Sequence, residues 1–266
     1  MITKNYLPNK FFLTFIVVFL FFISKNISSE ILPDYNREQN ISSQFLHDIF
    51  DGELISLSTT LNESFKIVEY KSNNNKQAVL LFHGRGLHPN EHRIMQPLRI
   101  ALYNEGYNTY SIQLPVLPKG KTYYDYFEIF KYSDERINSS LEYIASSNKS
   151  VFIIAHSCGV HMLMSWLESN NFDNIAGLIL IGSEPLDLGQ KLLRKYPYNK
   201  IKVPILDIYG ENDYPSITKN ATARFKMIKQ QQNNKSNQVS VPNSDHYHTD
   251  NANELLKVVK TWLKTI

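Results

Sequence analysis

The stretch Ser150-Val-Phe-Ile-Ile-Ala-His-Ser-Cys-Gly159 decides the fold. It starts as an apolar run typical of a buried strand, turns at Ser157 and continues into a helical pattern over residues 158–168. A strand that leads through a serine into a helix is typical of a nucleophile elbow. The residues two before and two after the serine must be small, because the two backbones crowd there. Ala155 and Gly159 satisfy this, although Ala155 stands where glycine is commonest.

Similar apolar runs alternate with helical patterns along the chain. Strands are predicted over residues 53–58, 65–71, 77–82, 107–114, 150–154, 175–181, 203–209 and 238–241, and helices over 90–105, 125–146, 158–168, 216–231 and 252–265. Strands that are apolar on both faces are typical of a mostly parallel sheet with helices on both sides. The first two strands follow each other in hairpin succession, which predicts an antiparallel N-terminal edge. The expected fold class is therefore α/β.

The composition of the 266 residues is that of a globular chain, with 42% hydrophobic and 20% charged residues. The single cysteine, Cys158, excludes an intrachain disulfide framework and a cysteine-rich metal site. Residues 1–29 carry three lysines and no acid, so the formal net charge of +3 belongs to them. The remaining chain has 25 basic and 25 acidic residues. A neutral body gives no electrostatic reason to expect a nucleic-acid partner.

The N-terminal residues have the pattern of a targeting segment. Residues 11–24 form one apolar run, which follows a polar start with two lysines and ends at Lys25. A membrane span needs about 20 apolar residues, whereas this shorter run fits the core of a signal peptide. The small residues Ser28 and Ser29 favour cleavage nearby, but the Ala-x-Ala form is absent. We expect residues 1–29 to be a signal peptide, or a short anchor if uncleaved. The expected location is the bacterial periplasm, with inner-membrane anchoring as the alternative.

The remaining chain shows one domain. Residues 30–45 lack periodicity and are predicted to be a linker. Residues 46–266 contain no internal repeat and no second linker, so they are expected to form a single domain. Residues 182–202 follow the strand that ends at Ile181, and this segment is too short to form a large cap domain.

A second chemical motif follows the strand over residues 77–82. The strand runs into His83-Gly-Arg-Gly86, and a flexible turn at a strand end can supply a backbone N–H to a developing oxyanion. Arg85 N–H is the first candidate and Gly86 N–H the second. The N–H of Cys158, directly after the serine, is the expected second donor of the pair. The Cys158 thiol itself is not expected to be a nucleophile, because it should turn inward with the helix.

A carboxylate and a histidine follow two later strands. Asp213 lies three residues beyond the strand end at Gly210, where a carboxylate can orient a histidine. His246 follows the last short strand and is itself followed by an aromatic residue. The chain order Ser157, Asp213, His246 is that of α/β-hydrolases. The weaker candidates for the acid and the base are Glu211, Asp207 and His248.

Several segments resemble an exported bacterial family within the α/β-hydrolase superfamily, known only as a domain of unknown function. The resemblance is carried by Val79-Leu-Leu-Phe-His-Gly-Arg-Gly-Leu-His-Pro-Asn90, Gln96-Pro-Leu-Arg99 and Gly106-Tyr-Asn-Thr-Tyr-Ser-Ile-Gln-Leu-Pro115. The elbow and the segments around Asp213 and His246 resemble the superfamily at large. The resemblance covers about residues 50–265 and implies the α/β-hydrolase fold and its triad, but no substrate. His88 looks like a family feature, which implies a place at the site mouth or, equally, a structural cap on the first helix.

These residues predict an exported serine hydrolase that acts on carboxylic esters or thioesters. Ser157 would attack an acyl carbonyl, His246 would carry the proton, and Asp213 would fix the histidine tautomer. Esters are favoured over peptides because no extended peptide-binding feature is visible. Two alternatives stay open. One is a non-catalytic envelope module with the same fold, and the other is an acyltransferase that passes the same acyl group to an alcohol.

The expected partner is a small-molecule or lipid-like acyl substrate, and association with a membrane surface stays open. Tyr123 and Tyr124 belong to an aromatic cluster over residues 123–127 that can bind apolar chains, although packing onto the sheet is the favoured use. Together with His88 they are the candidate substrate-binding residues. No cofactor is expected. No metal is expected either, because the other histidines lack acidic or cysteine partners at zinc-like spacing.

Overall fold

The apolar runs of the sequence form one eight-stranded sheet in the computed structural model, which describes residues 1, 30–72, 77–170 and 173–266. The strands are β1 (Glu53–Ser58), β2 (Ser64–Tyr70), β3 (Gln77–Phe82), β4 (Asn108–Ile112), β5 (Ser150–His156), β6 (Ile175–Ile181), β7 (Ile205–Gly210) and β8 (Asn237–Val241). Their order across the sheet is β1-β2-β4-β3-β5-β6-β7-β8. β2 pairs antiparallel with β1 and β4, and the other neighbours pair in parallel. The predicted antiparallel edge and parallel centre are confirmed.

Helices cover both faces of this sheet, as predicted. The α-helices among the described residues are α1 (Tyr35–Phe45), α2 (Met95–Asn104), α3 (Tyr123–Phe127), α4 (Phe130–Ala145), α5 (Cys158–Ser169), α6 (Pro215–Thr218), α7 (Ala221–Lys229) and α8 (Ala252–Leu263). Along β5, Val151, Ile153 and Ala155 join the core that contains α4 and α5. Phe152 and Ile154 join the core that contains α2 and α8. This alternation explains why the strand is apolar on both faces.

Three predicted helices have different limits in the structure. The helix expected from residue 90 begins at Met95, because the Glu91 carboxylate accepts the backbone N–H groups of Arg93 and Ile94 at 3.0 and 2.9 Å. These bonds hold a turn in front of the helix. The helix expected over residues 125–146 is divided into α3 and α4, and the one over 216–231 into α6 and α7.

The predicted linker at residues 30–45 was wrong for most of its length, because residues 35–45 form helix α1. Asp34 caps the helix with its side chain. Glu38 is only 6% exposed, and its carboxylate lies 3.0 Å from Nη1 of the fully buried Arg136. Two of the three buried residues of α1, Glu38 and Ser42, are polar, and the third, Phe45, is its last residue. The helix therefore lacks the apolar stripe by which sequence patterns detect a packed helix.

The chain divides into two units, Met1–Ile31 and Leu32–Ile266, and the second unit contains the whole sheet. Apart from Met1, the predicted signal peptide at residues 1–29 lies outside the described residues. Within the described ranges, no helix has both the length and the apolar character needed to cross a membrane. Residues 182–202 are all described and contain no helix or strand, so the sheet carries no cap domain at this position.

Candidate active site

Ser157 lies in a sharp turn between β5 and α5. Its φ and ψ angles are 56° and −122°, a backbone conformation that costs free energy in a residue other than glycine. The helix backbone passes close to β3, since a Cβ atom at Gly159 would lie only 2.7 Å from the carbonyl oxygen of His83. The small residue at position 159 is therefore required by close backbone approach. The structure has the geometry of the elbow that the sequence predicts.

The three residues predicted as nucleophile, base and acid are brought together. Nε2 of His246 lies 2.8 Å from Oγ of Ser157, and Nδ1 of His246 lies 2.7 Å from Oδ1 of Asp213. All three residues are at most 8% exposed. In the tautomer with the proton on Nδ1, His246 donates to the Asp213 side chain and its Nε2 is free to accept the serine hydroxyl proton.

The loops after β6, β7 and β8 hold the histidine and the aspartate. Asn212 N–H donates to the carbonyl of Ser244 at 2.8 Å, which ties the aspartate loop to the histidine loop. Gly182 ends β6 with a φ of 62°, and a Cβ atom there would lie 2.9 Å from Cε1 of His246. A glycine is required at this position because the imidazole ring occupies the space of a side chain.

The weaker sequence candidates are engaged elsewhere. Asp207 pairs with Arg224 at 2.8 Å in the protein interior, and Glu211 is an exposed acceptor for a backbone N–H. The ring of His248 lies 2.7 Å from the hydroxyl of Ser244. Burial lowers the pKa of His248 to about 4. None of these three side chains reaches Ser157.

The two predicted oxyanion donors lie beside the serine. Gly84 accepts a hydrogen bond from Leu87 N–H at 3.2 Å, which closes the turn containing Arg85. Within the described part of the chain, the backbone N–H groups of Arg85 and Cys158 have no intramolecular acceptor. Burial raises the pKa of the Cys158 thiol to about 12. That thiol is therefore protonated at neutral pH, which argues against Cys158 as the nucleophile.

A cleft of about 230 Å³ opens above Ser157 and His246. Several of its lining residues were not predicted as site residues, namely Leu87, His161, Pro185, Leu186, Asp187, Tyr214 and Tyr247. The Tyr214 ring stacks on His246 with 4.3 Å between ring centroids, and Tyr247 approaches the same imidazole edge-on at 5.1 Å. These two tyrosines directly follow the aspartate and the histidine, so adjacency to the predicted triad is the signal that could have found them.

Of the predicted substrate-binding residues, only Tyr123 lines the cleft. Its ring packs 4.3 Å from that of His161. His88 is not in the cleft lining, because its ring stacks on Phe45 of α1 at 4.9 Å. Tyr124 also lies outside that lining, 40% exposed, and its hydroxyl accepts the N–H of Lys191 at 3.0 Å. The sequence could not show that His88 lies outside the cleft, because the helix that covers it was expected to be a linker.

A salt bridge crosses the rim of the cleft. The Arg85 guanidinium makes two contacts with the Asp187 carboxylate, at 2.6 and 2.7 Å. Asp187 also accepts the backbone N–H of Tyr123 at 2.8 Å. The hydrogen bond from Arg85 lowers the pKa of Asp187, so the carboxyl stays ionised at neutral pH. The rim is therefore linked to the turn that carries a candidate oxyanion donor.

The other buried histidines have structural partners. Nε2 of His161 lies 2.9 Å from the carbonyl oxygen of Pro185, and its Nδ1 lies 2.7 Å from the Tyr196 hydroxyl. Burial lowers the pKa of His161 to about 4 and that of His83 to about 3. The described residues include no group of three or more His, Cys, Asp or Glu side chains that could hold a metal ion. The expectation that the protein needs no metal stays a prediction.

The strand order and the elbow define an α/β-hydrolase fold, and comparison with solved structures agrees. An esterase from Pyrococcus furiosus aligns with a TM-score of 0.65 at 16% identity, covering 83% of this chain and 93% of the esterase. Est1E from Butyrivibrio proteoclasticus aligns with a TM-score of 0.61 at 15% identity, covering 80% and 98% of the two chains. An α/β serine hydrolase without lid from Xanthomonas campestris gives a TM-score of 0.59 at 11% identity, covering 81% and 95%. At identities this low, the structural similarity establishes the fold alone.

The sequence also matches a family model. The model of the family described as "Protein of unknown function (DUF3530)" matches residues 129–265, which is more than half of the chain. The protein belongs to this family, as the sequence resemblance to an α/β-hydrolase-like domain of unknown function predicts. A comparison with curated proteins finds no match.

Proposed function

We propose that this protein is a serine hydrolase that cleaves carboxylic esters or thioesters through an acyl-enzyme. One observation carries the proposal, which is the chain of hydrogen-bond contacts from Ser157 through His246 to Asp213, at 2.8 and 2.7 Å. These contacts start on a strained turn at the carboxyl end of the central strand β5 and lie in the floor of an open cleft. The same arrangement of groups activates a serine hydroxyl in acyl transfer.

The proposed reaction assigns each group a role. Ser157 Oγ attacks the acyl carbonyl while Nε2 of His246 takes the hydroxyl proton, and Asp213 stabilises the imidazolium that forms. The backbone N–H groups of Arg85 and Cys158 bind the oxyanion. The imidazolium then protonates the leaving alcohol or thiol as its bond to the acyl carbon breaks. In the second half, His246 takes a proton from water as the water oxygen attacks the acyl carbon. The imidazolium then returns a proton to Ser157 Oγ as the bond from Oγ to the acyl carbon breaks, which releases the acid and restores the enzyme.

The cleft supports esters or thioesters as the substrate class. Its walls combine aromatic and apolar side chains, including Tyr123, Leu186 and Tyr214, which favour an apolar acyl or alcohol group. The small volume, about 230 Å³, and the open rim suit a compact substrate group. The esterase from Pyrococcus furiosus, which shares the fold, is consistent with this choice.

We also propose export to the periplasm, on the basis of the apolar run over residues 11–24 and the two lysines before it. Mass spectrometry of the protein isolated from the cell envelope tests this proposal. A mature N-terminus near residue 30 supports export with cleavage of the signal peptide, whereas an intact Met1 contradicts that cleavage.

Labelling of the full-length protein with a fluorophosphonate tests the proposed activity, because this reagent reacts with activated serine hydroxyls. We expect labelling that is lost in Ser157→Ala and slowed about 100-fold or more in His246→Ala. His92→Ala is the matched control, since His92 is exposed and does not line the cleft. A folded wild-type protein that does not label, or labelling that survives Ser157→Ala, contradicts the proposal.

A further inference from the structure

The side chain of Arg37, on α1, joins two loops near the site. Its Nη2 donates to the backbone carbonyl of Gly86 at 3.1 Å, and its Nη1 donates to the backbone carbonyl of Leu117. Gly86 directly follows Arg85, the residue whose N–H is a candidate oxyanion donor. The guanidinium also lies against the glycine itself, because a Cβ atom at Gly86 would be 3.0 Å from Nη2.

Helix α1, which carries Arg37, is anchored to the loop after β4 and to Arg136. Asp34 N–H donates to the carbonyl of Val116 at 2.7 Å. Val116 N–H in turn donates to the Glu38 carboxylate at 3.0 Å. The same carboxylate pairs with Arg136, whose side chain is fully buried. Arg37 therefore projects from a helix that is fixed to the loop after β4.

The turn over residues 84–87 has few restraints of its own. Among the described residues it has one backbone hydrogen bond, from Leu87 N–H to the Gly84 carbonyl at 3.2 Å, and Gly86 adopts a φ of 68°. Glycine has more backbone freedom than other residues, so an ordered glycine turn depends on outside contacts. Side chains supply such contacts at three points: Arg37 on the Gly86 carbonyl, Asp187 on the Arg85 side chain, and the His83 ring, whose Nδ1 lies 2.8 Å from the Gly84 carbonyl oxygen.

We call the turn over residues 84–87 the oxyanion turn, because it carries the Arg85 N–H. We propose that Arg37 is a positioning residue that holds this turn in its productive geometry, an inference that rests on the proposed hydrolase function. Arg37 does not line the catalytic cleft but a separate cavity that Gly86 also lines. It therefore acts through the turn and not on the substrate. Donors that are fixed before the reaction stabilise a developing oxyanion most strongly, and a loosened donor loses much of that effect.

Steady-state kinetics of Arg37→Ala tests the proposal, with a p-nitrophenyl ester as the substrate. We expect kcat to fall about 10-fold or more and KM to change less than threefold, because the oxyanion forms only in the transition state. Arg37→Lys keeps the charge but not the planar fork that spans two carbonyls, so it should restore little of the rate. Gln39→Ala is the matched control on the exposed face of the same helix. Alanine favours helix, so α1 is expected to persist in both alanine variants.

Hydrogen–deuterium exchange of the full-length protein separates this inference from the proposed function. In Arg37→Ala, we expect the amide of Leu87, whose N–H donates to the Gly84 carbonyl, to exchange at least 10-fold faster, while those of residues 150–165 keep their wild-type rates. Unchanged exchange at Leu87, or a kcat within twofold of wild type, overturns the positioning role. A folded wild-type protein without Ser157-dependent turnover contradicts the proposed hydrolase function alone, because the exchange experiment still tests the contact.

Discussion

The two halves of the candidate site are held in different ways. Ser157, Asp213 and His246 follow strands of the parallel sheet, and short backbone hydrogen bonds and close-packed glycines fix their loops. The oxyanion turn is instead held by charged side chains from segments far away in sequence, Arg37 and Asp187. The comparison shows that one half of the site is built by the sheet itself, whereas the other half depends on contacts that regular structure does not supply.

The largest expected effect lies in the half built by the sheet. Asp213→Asn keeps the shape of the side chain but favours the wrong histidine tautomer, so kcat should fall about 10³–10⁴-fold with little change in KM. Steady-state ester hydrolysis measures this effect. Glu211→Gln is the matched control, because Glu211 is exposed and does not reach His246. Equal losses in both variants would contradict the assignment of the acid.

A smaller effect is expected at the rim contact of the other half. Asp187→Ala removes the carboxylate that holds Arg85 and the Tyr123 N–H. Because the ion pair is partly exposed, its loss should lower kcat/KM only about threefold. Added salt should lower the kcat/KM of the wild type toward that of the variant, because salt screens the ion pair. Glu168→Ala breaks the exposed pair with Arg194 and is the control. An effect as large as that of Asp213→Asn would remove the difference between the two halves.

A site remote from both halves should change stability without changing activity. Burial raises the pKa of Asp134 on α4 to about 7, well above its unfolded value, and its Oδ1 has no hydrogen-bond partner within the described residues. The folded state therefore binds more protons between about pH 4 and pH 7, and stability falls as pH rises through that range.

Asp134→Asn removes this titration, so its urea midpoint should exceed that of wild type at pH 8 and approach it at pH 4. The value of kcat should stay within twofold of wild type, and Glu142→Gln, an exposed change on the same helix, should alter neither quantity. A kcat that changed together with the urea midpoint in Asp134→Asn would mean that activity follows overall stability. The effect of Arg37→Ala would then not indicate a local contact.

The sequence predicted the half built by the sheet, and in the other half it predicted the turn with Arg85 but not the contacts that hold that turn. The elbow around Ser157 and the strand ends before Asp213 and His246 are local patterns, and a parallel sheet brings strand ends to one edge. Adjacent positions such as Tyr214 and Tyr247 could have been found by the same argument. The mostly parallel sheet and its antiparallel edge followed from apolar runs and their hairpin succession.

The contacts that hold the oxyanion turn and cover His88 could not be predicted in the same way, for physical reasons. Helix α1 buries a carboxylate and a hydroxyl, Glu38 and Ser42, so its pattern resembled that of a linker. Asp187 belongs to a segment without helix or strand, where no periodicity indicates which side chain faces the cleft. For His88 the resemblance implied either a place at the site mouth or a structural cap on the first helix, and only the packing of Phe45 on its ring shows that it lies away from the cleft. Ion pairs between distant segments leave no local pattern in a single sequence.

The acyl-enzyme is the central claim, and the most direct test is to identify where an acyl group is bound during turnover. The full-length protein is mixed with p-nitrophenyl acetate and quenched in acid, and its peptides are analysed by mass spectrometry. We predict an acetyl group on the Ser157 hydroxyl, absent from Ser157→Ala and from protein unfolded before mixing. Ester turnover without an acetyl group on Ser157, or with one on another residue that turnover requires, would contradict the account.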